Sequence, residues 1–175
     1  DTIDGGAGSD RAELTLTVGN VSVSNAGINT NAGVTFSNGT HIRNVEILDL
    51  FTGAGNDTLT LADGGAAMAR FYGGGGTDTL IADFSTSAID WNLVPSGQFN
   101  LGQFNGAQLD SIERYVISTG SGADSLRGGT GDDVLSGGAG NDSITGGAGA
   151  NTLSGGDGND LFTVNGGVDA IDGGS

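Results

Sequence analysis

Aspartates recur every nine residues in the last third of the chain, and each one ends a glycine-rich hexapeptide. From Thr119 the sequence divides into six blocks of nine: TGSGADSLR, GGTGDDVLS, GGAGNDSIT, GGAGANTLS, GGDGNDLFT and VNGGVDAID. Short carboxylates beside turning backbone, together with peptide carbonyls, can form an all-oxygen cage, which is the ligand set that a hard cation prefers. The spacing therefore points to metal binding.

The sixth residue of each block is the candidate ligand. In the tandem blocks these residues are Asp124, Asp133, Asp142, Asn151, Asp160 and Asp169. Earlier blocks, GGAGSDRAE, TGAGNDTLT and GGGGTDTLI, add Asp10, Asp57 and Asp78. The block GGAAMARFY has Ala69 at the aspartate position and offers no ligand there. Asn151 contributes a neutral oxygen, so we expect weaker binding at the two sites that share it.

The eighth residue of each tandem block is apolar, and three residues of each block are expected to form a short strand with that side chain inward. Two blocks then make one coil of turn, strand, turn and strand, so that blocks eighteen residues apart stack on one another. The sequence predicts an all-β fold, a single elongated right-handed parallel β-roll (β-solenoid). Leu126, Ile144 and Phe162 should line one inner sheet, and Leu135, Leu153 and Ile171 the other.

Stacking brings the aspartates of alternate blocks to within about 4.8 Å along an edge, where they repel without a counter-ion. Calcium suits such a cage better than zinc, copper or magnesium. We expect ions to bridge Asp124 with Asp142, Asp142 with Asp160, Asp133 with Asn151, and Asn151 with Asp169. Asp57 and Asp78 can share an ion if Leu61, Ala62 and Asp63 loop out.

The glycines of the turns are expected to supply carbonyl ligands, because a side chain would obstruct their close approach. The glycines concerned are Gly53, Gly55, Gly74, Gly76, Gly120, Gly122, Gly128, Gly129, Gly131, Gly137, Gly138, Gly140, Gly146, Gly147, Gly149, Gly155, Gly156 and Gly158. The fifth residue is Asn56, Asp132, Asn141 or Asn159 in several blocks, which suggests left-handed backbone there.

A second, longer period overlies the first. The segment from Asn38 matches the segment from Asn105 at an offset of 67, with eight of 23 positions identical, Glu46 and Glu113 among them. We therefore divide one domain, 1–175, into a first unit 5–72, a second unit 73–118 and the tandem repeats 119–172. The inserts within these units, Leu14 to Phe51 and Ala82 to Ser118, alternate apolar and polar residues and are expected to form strands with turns between them.

Composition excludes several classes of protein. Of 175 residues 36 are glycine, cysteine is absent, and five arginines face 21 acids for a net charge of -16. So acidic a surface repels phosphate backbones, which argues against nucleic-acid binding. No apolar stretch approaches the ~20 residues of a membrane span, and no basic-apolar leader marks a signal peptide.

At GGAGNDSIT and its neighbours the chain resembles the RTX (repeats-in-toxin, hemolysin-type) calcium-binding family, with its β-roll of nonapeptides. The resemblance implies that the turn aspartates and glycine carbonyls bind several Ca²⁺ ions. It also implies a fragment of a larger, multi-block bacterial protein that is exported unfolded by type I secretion and folds outside the cell or on its surface. Expected partners are calcium and neighbouring domains, and end-to-end or surface-layer self-assembly is left open.

Enzyme function is not expected. His41 is the only histidine, and the second copy of the long repeat has Gln108 in its place. Glu46 and Glu113 are interpreted as local caps, and Asp49, Asp63, Asp83, Asp90 and Asp110 as surface or turn residues. Trp91, Phe84, Phe99 and Phe104 are assigned to the core of the second insert.

Two functions remain open. The first is a calcium-responsive structural module that supports secretion, folding or assembly of a larger adhesin, surface-layer protein or enzyme. The alternative is a calcium-dependent carbohydrate-binding module of a polysaccharide-modifying enzyme. An anionic polysaccharide requires arginines on one face, and the few arginines are scattered along the sequence, which favours the structural module.

Overall fold

The computed structural model describes residues 1–17, 19–24, 26–36, 38–62, 67–88, 92, 98–99 and 107–175, without the side chains of 62, 67–69, 98–99 and 107. All regular secondary structure in these ranges is β-strand. The strands are β1 (Thr2–Asp4), β2 (Arg11–Leu16), β3 (Ser22–Ser24), β4 (Val34–Thr35), β5 (His41–Arg43), β6 (Ile47–Thr52), β7 (Thr58–Ala62), β8 (Ala67–Tyr72), β9 (Thr79–Asp83), β10 (Gln98–Phe99), β11 (Ala107–Asp110), β12 (Arg114–Ser118), β13 (Ser125–Arg127), β14 (Val134–Ala139), β15 (Ser143–Thr145), β16 (Thr152–Asp157), β17 (Leu161–Thr163) and β18 (Ala170–Gly174).

Four sheets contain these strands. The longest has seven strands in the order β18-β16-β14-β12-β9-β7-β3, and a five-stranded sheet runs β10-β11-β8-β6-β2. Two three-stranded sheets have the orders β13-β15-β17 and β1-β5-β4. Neighbouring strands are parallel except in the pairs β10–β11 and β4–β5. The expected all-β, predominantly parallel architecture is confirmed.

The tandem blocks stack in the predicted register. Leu126 is paired with Ile144 and Ile144 with Phe162 in one sheet, while Leu135 is paired with Leu153 and Leu153 with Ile171 in another. Leu126, Leu135, Ile144 and Leu153 are all buried in the core. Phe162 is only partly buried and Ile171 is 48% exposed, because each lies on the last strand of its sheet. Ile171 is therefore in register with the core but is not part of it.

The stacking distance along the chain changes in the first half. Strand β7 pairs with β9 at an offset of 21 residues from Thr58–Thr79 through Ala62–Asp83. Leu61 and Ala62 thus extend β7, and Leu61 is buried. The expectation that Leu61, Ala62 and Asp63 loop out is therefore wrong for the first two, and Asp63 lies outside the described residues.

The inserts contribute much of the core. The part of the first insert that follows β2 and precedes β6 in the sequence was predicted to form strands and turns. Its buried side chains include Val21, Val23, Ile28, Phe36 and Ile42. Ala69, at the aspartate position of its block, is the extra residue of a β-bulge opposite Leu48 and Asp49, so this block continues a strand. Phe84 is buried as predicted, whereas Trp91, Phe104 and the side chain of Phe99 lie outside the description.

Candidate metal centre

One edge of the tandem repeat is a ladder of aspartates. Oδ1 of Asp142 accepts a hydrogen bond from the backbone N–H of Asp124 at 2.8 Å, and Oδ1 of Asp160 accepts one from Asp142 at 2.9 Å. Each carboxylate therefore bridges back to the coil that precedes it by eighteen residues. The structure brings together the aspartates that the repeat places on one edge.

The opposite edge has the same ladder with an amide in it. Asp133 donates its N–H to Oδ1 of Asn151, and Asn151 donates its N–H to Oδ1 of Asp169, both at 2.9 Å. Oδ1 of Asp133 accepts from the N–H of Tyr115 at 2.6 Å. The pairs predicted on this edge are also neighbours in the structure.

The first half continues the ladder across its irregular coils. Asp57 accepts a hydrogen bond from the N–H of Val21 at 2.7 Å, and Asp78 accepts one from Asp57 at 2.8 Å. Asp57 and Asp78 therefore meet although they are 21 residues apart, because the strands that follow them pair in register.

Two glutamates occupy ladder positions as well. Glu46 Oε2 accepts from the N–H of Asp10 at 2.9 Å, and Glu113 Oε2 accepts from the N–H of Asp78 at 2.8 Å. Each glutamate immediately precedes a strand, as the ladder aspartates do. Each glutamate thus caps a backbone N–H, but one that is 36 or 35 residues away on another coil and not a local one. Their equivalence in the 67-residue repeat was the signal for a shared position.

The glutamates belong to turns shorter than the glycine turns. Ser111–Glu113 links β11 to β12, whereas the turns on either side of it in the stack are 73–78 and 128–133. A cavity of about 400 Å³ lies at this turn and is lined by Ser111, Ile112, Glu113, Arg127, Gly128, Gly129 and Thr130. The column of glycine turns is therefore interrupted at this coil.

Several ladder carboxylates have one oxygen without a partner. Oδ2 is buried and accepts no hydrogen bond at each of Asp10, Asp57, Asp78, Asp142 and Asp160. A buried carboxylate oxygen without a partner destabilises the fold by more free energy than a hydrogen-bonded one contributes to stability. A bound cation or a proton would supply the partner. These five oxygens are the feature that most directly indicates a cation site.

The glycine turns bring backbone carbonyls close to the ladder. Gly140 has φ of 140°, and a Cβ added to it would overlap the carbonyl oxygen of Gly122. A Cβ on Gly137 would overlap Oδ2 of Asp142, and one on Gly155 would overlap Oδ2 of Asp160. Only glycine leaves this space open, and the space is bordered by carboxylate and carbonyl oxygens.

Burial and mutual repulsion oppose ionisation of the ladder. The pKa of Asp142 is raised by burial and by the neighbouring charges of Asp124 and Asp160, and the pKa of Asp78 is raised by burial and by Asp57 and Glu113. Burial raises the pKa of Asp133 to about 6, against hydrogen bonds from Tyr115 and Gly129 that lower it. A bound cation would remove this penalty.

The donor set fits calcium. Within the described ranges no group of three or more His, Asp or Glu side chains lies close enough to hold a metal, so a metal shell built on one or two of the carboxylates would also need carbonyl oxygens. Oxygen-only shells of mixed carboxylates and carbonyls suit Ca²⁺, whereas Zn²⁺ prefers nitrogen and sulfur.

The fifth residues have a different role from the predicted one. Asn44 and Ser111 are the non-glycine residues with positive φ in the described part of the chain, so Asn56, Asp132, Asn141 and Asn159 are not left-handed. Instead Asn141 Oδ1 accepts from the N–H of Asn159 at 2.8 Å, and Asp132 Oδ1 accepts from the N–H of Ala150 at 2.7 Å. In this second ladder each side chain accepts from the coil that follows it in the sequence, whereas each ladder aspartate accepts from the coil that precedes it.

Some insert residues also differ from expectation. Asp49 is buried, and its Oδ2 accepts from Nε of Arg11 at 2.7 Å, so it is not a surface or turn residue. Asp83 is exposed and accepts from the N–H of Ser85, as a turn residue does. His41 Nδ1 shares a hydrogen bond with the hydroxyl of Thr35 at 2.9 Å, and both residues are on adjacent strands outside the ladders.

Three arginines have partners within the chain. Arg11 pairs with Asp49, Arg43 pairs with Asp4 at 2.6 Å, and Nε of Arg114 donates to the carbonyl of Asp132. These contacts give no support to the alternative of a site for an anionic polysaccharide.

Comparison with known families agrees with this geometry. The model of the RTX calcium-binding nonapeptide repeat matches the chain in four copies, over residues 1–12, 49–65, 70–84, 118–153 and 145–175. The matched residues make up more than half of the chain. No curated protein and no solved structure matches it. None of the described residues forms a helix that is long and apolar enough to span a membrane.

Proposed function

Because the chain belongs to the RTX calcium-binding nonapeptide repeat family, whose repeats bind calcium ions, we propose that it is a structural module that folds when calcium binds outside the cell. The family is a structural calcium-binding repeat and not a catalytic one. In the proposal, the module supports type I secretion and the extracellular folding or assembly of a larger protein.

One observation carries the proposal. Asp142, at 2% exposure, keeps Oδ2 without a partner beside Gly137, the first glycine of its turn, and Asp78 and Asp160 repeat this arrangement beside Gly73 and Gly155. Asp10 and Asp57 also keep a buried Oδ2 without a partner. We assign these carboxylates, with Asp124 in the same ladder, as ligands, and the carbonyl oxygens of the stacked glycine turns complete each shell. The parallel, in-register strands support closure into a right-handed β-roll.

Calcium dependence of folding follows from the charge. Without the ions, stacked carboxylates repel one another and the many glycines lose much conformational entropy on folding. Because the unfolded chain has no cage, the free energy of calcium binding becomes free energy of folding. Extracellular calcium modules typically have Kd values of about 10⁻⁴–10⁻³ M, so the chain would stay unfolded in a cytosol and fold outside it.

Neighbouring coils share ligands, so the transition should be cooperative. Asp142 both donates to Asp160 and accepts from Asp124, so an ion that orders one turn also orders half of the next site. Each ion stabilises the fold by RT ln(1 + [L]/Kd), and several coupled ions make folding steep in calcium concentration.

The experiment is a calcium titration of the chain followed by far-ultraviolet circular dichroism, with magnesium as the control ion. We expect little β-structure in chelator, a cooperative gain between about 0.1 and 1 mM calcium, and no equivalent gain with magnesium. A chain that is fully β-structured in chelator, or equally folded by magnesium, would refute the calcium switch.

A further inference from the structure

The two edges of the tandem repeat are chemically different. We define the calcium edge as the turns 119–124, 137–142 and 155–160, and the amide edge as the turns 128–133, 146–151 and 164–169. Resting on the proposed calcium function, we propose that calcium binds along the calcium edge through Asp142 and Asp160, and that the amide edge is closed by its own hydrogen bonds and takes no ion at Asn151 or Asp133.

An amide nitrogen stands at the ligand position of the amide edge. A Cβ on Gly137 or Gly155, the first glycine of a calcium-edge turn, would meet Oδ2 of Asp142 or Asp160. A Cβ on Gly146, the equivalent glycine of the amide edge, would instead meet Nδ2 of Asn151 at 2.8 Å. An amide NH₂ is a donor with no lone pair for a cation, so it repels calcium where the carboxylate attracts it.

The orientation of this amide is fixed by its two neighbours. Oδ1 of Asn151 accepts from the N–H of Asp133 at 2.9 Å, and Nδ2 donates to Oδ1 of Asp169 at 3.0 Å. Rotating the amide by half a turn would place its NH₂ against the N–H of Asp133 and its oxygen against a carboxylate. Both contacts would then be repulsive, so the oxygen cannot turn toward an ion without losing two hydrogen bonds.

Asp133 is already satisfied without an ion. Its Oδ1 accepts from Tyr115 at 2.6 Å and its Oδ2 accepts from the N–H of Gly129 at 2.8 Å. By contrast, Oδ2 of Asp142 and Oδ2 of Asp160 are buried with no partner. Within the tandem repeat, the carboxylates with an unpartnered buried oxygen therefore lie in the turns 137–142 and 155–160 of the calcium edge, and Asp133 of the amide edge is not among them.

The third turn of the amide edge departs from the repeat at its start. In VNGGVD the first two positions are Val164 and Asn165, where the calcium-edge turns 137–142 and 155–160 have glycine pairs. Val164 is 56% exposed. This turn lacks the glycine that leaves the ligand space open beside Asp142 and Asp160.

The test counts calcium ions bound per chain, by equilibrium dialysis and metal analysis at saturating calcium. Asn151→Asp should raise the count by at least one, because it replaces the NH₂ by a carboxylate oxygen. Asp142→Asn, which puts the same amide on the calcium edge, should lower the count by at least one and raise the calcium midpoint for folding several-fold. Asp169→Asn keeps the accepting Oδ1 and should leave the count unchanged.

Two results would overturn the asymmetry: an unchanged count in Asn151→Asp, or a loss of ions in Asp169→Asn as large as in Asp142→Asn. The first result does not depend on whether Asp142→Asn folds, because Asn151→Asp adds a ligand, and it therefore decides the question on its own. Failure of the proposed function is distinguishable, since the unmodified chain would then bind no calcium.

Discussion

Asn44 and Ser111 are 67 residues apart and adopt the same left-handed backbone, with φ of 51° and 54°. Each opens a three-residue turn that ends at a glutamate, Glu46 or Glu113. The backbone carbonyl of Asn44 lies where a Cβ on Gly5 would be, and that of Ser111 lies where a Cβ on Gly73 would be. The long repeat in the sequence is therefore a repeated structural device, in which a short turn packs against a glycine turn.

Two substitutions of Glu113 distinguish a capping role of this side chain from a role as a metal ligand. Glu113→Gln keeps an oxygen that can accept from the N–H of Asp78 and removes one charge that repels Asp78. Glu113→Ala removes the acceptor and should lower the free energy of unfolding of the calcium-bound chain by about 1–2 kcal/mol. We expect Glu113→Gln to stay within about 0.5 kcal/mol in denaturant titrations. A lost calcium ion in Glu113→Gln would show that Glu113 is a ligand.

The glycine turns should tolerate alanine only where space and φ allow it. Gly156 has φ of 109° and a Cβ there would overlap the carbonyl of Gly138, so Gly156→Ala should destabilise the folded chain by about 1–3 kcal/mol or more. Gly166 has open space and no positive φ, so Gly166→Ala is the matched control, expected within about 0.5 kcal/mol. Thermal unfolding in excess calcium measures both. Equal effects of the two substitutions would contradict the crowding at Gly156.

The tandem blocks could be predicted from the sequence almost completely, because a strict nine-residue period fixes both strand register and turn position. Leu126, Ile144 and the ladder of Asp124, Asp142 and Asp160 stand where the period places them. The inserts were less predictable, because their paired strands are 20 to 39 residues apart, and this offset depends on where the additional residues are inserted. Leu61 illustrates this, because an apolar residue in a presumed insertion has more to gain inside the core.

The hydrogen bonds between side chains and backbone were a second feature that could not be predicted from the nine-residue period. Asparagine at the fifth position is compatible with left-handed backbone and with a ladder, and only the stacking of coils decides between them. The orientation of Asn151 is likewise set by Asp133 and Asp169 on adjacent coils. Residue type alone indicated a weaker ligand there, whereas the contacts place an amide NH₂ donor where the turns of Asp142 and Asp160 have Oδ2.

The ladder of fifth residues should stabilise the fold without changing the number of calcium ions bound. Asn141→Ala removes the acceptor for the N–H of Asn159 at an exposed site, so we expect a loss of about 0.5–1.5 kcal/mol in the free energy of unfolding. Asn141→Asp keeps the acceptor and serves as the control. Isothermal calorimetry should give the same number of calcium ions for both variants. A lower stoichiometry in Asn141→Ala would mean that the fifth residue takes part in metal binding.

Acid should act in opposite directions on the calcium-free fold and on calcium binding. Asp133, Asp142 and Asp78 have raised pKa values in the fold, Asp133 to about 6, from a value of 3.8 when exposed. A raised carboxyl pKa means that the fold binds protons more tightly than the unfolded chain, so its contribution to stability is full at low pH and is lost as pH rises through about 6. In calcium-free buffer, circular dichroism should therefore show more β-structure at about pH 5 than at about pH 7.5. Calcium binds the ionised carboxylates, so the calcium concentration at the midpoint of folding should be higher at about pH 5 than at about pH 7.5. Asp133→Asn, which cannot ionise, is the control and should weaken the pH dependence near 6 in calcium-free buffer. A calcium-free chain that is most ordered at neutral pH would contradict the raised pKa values.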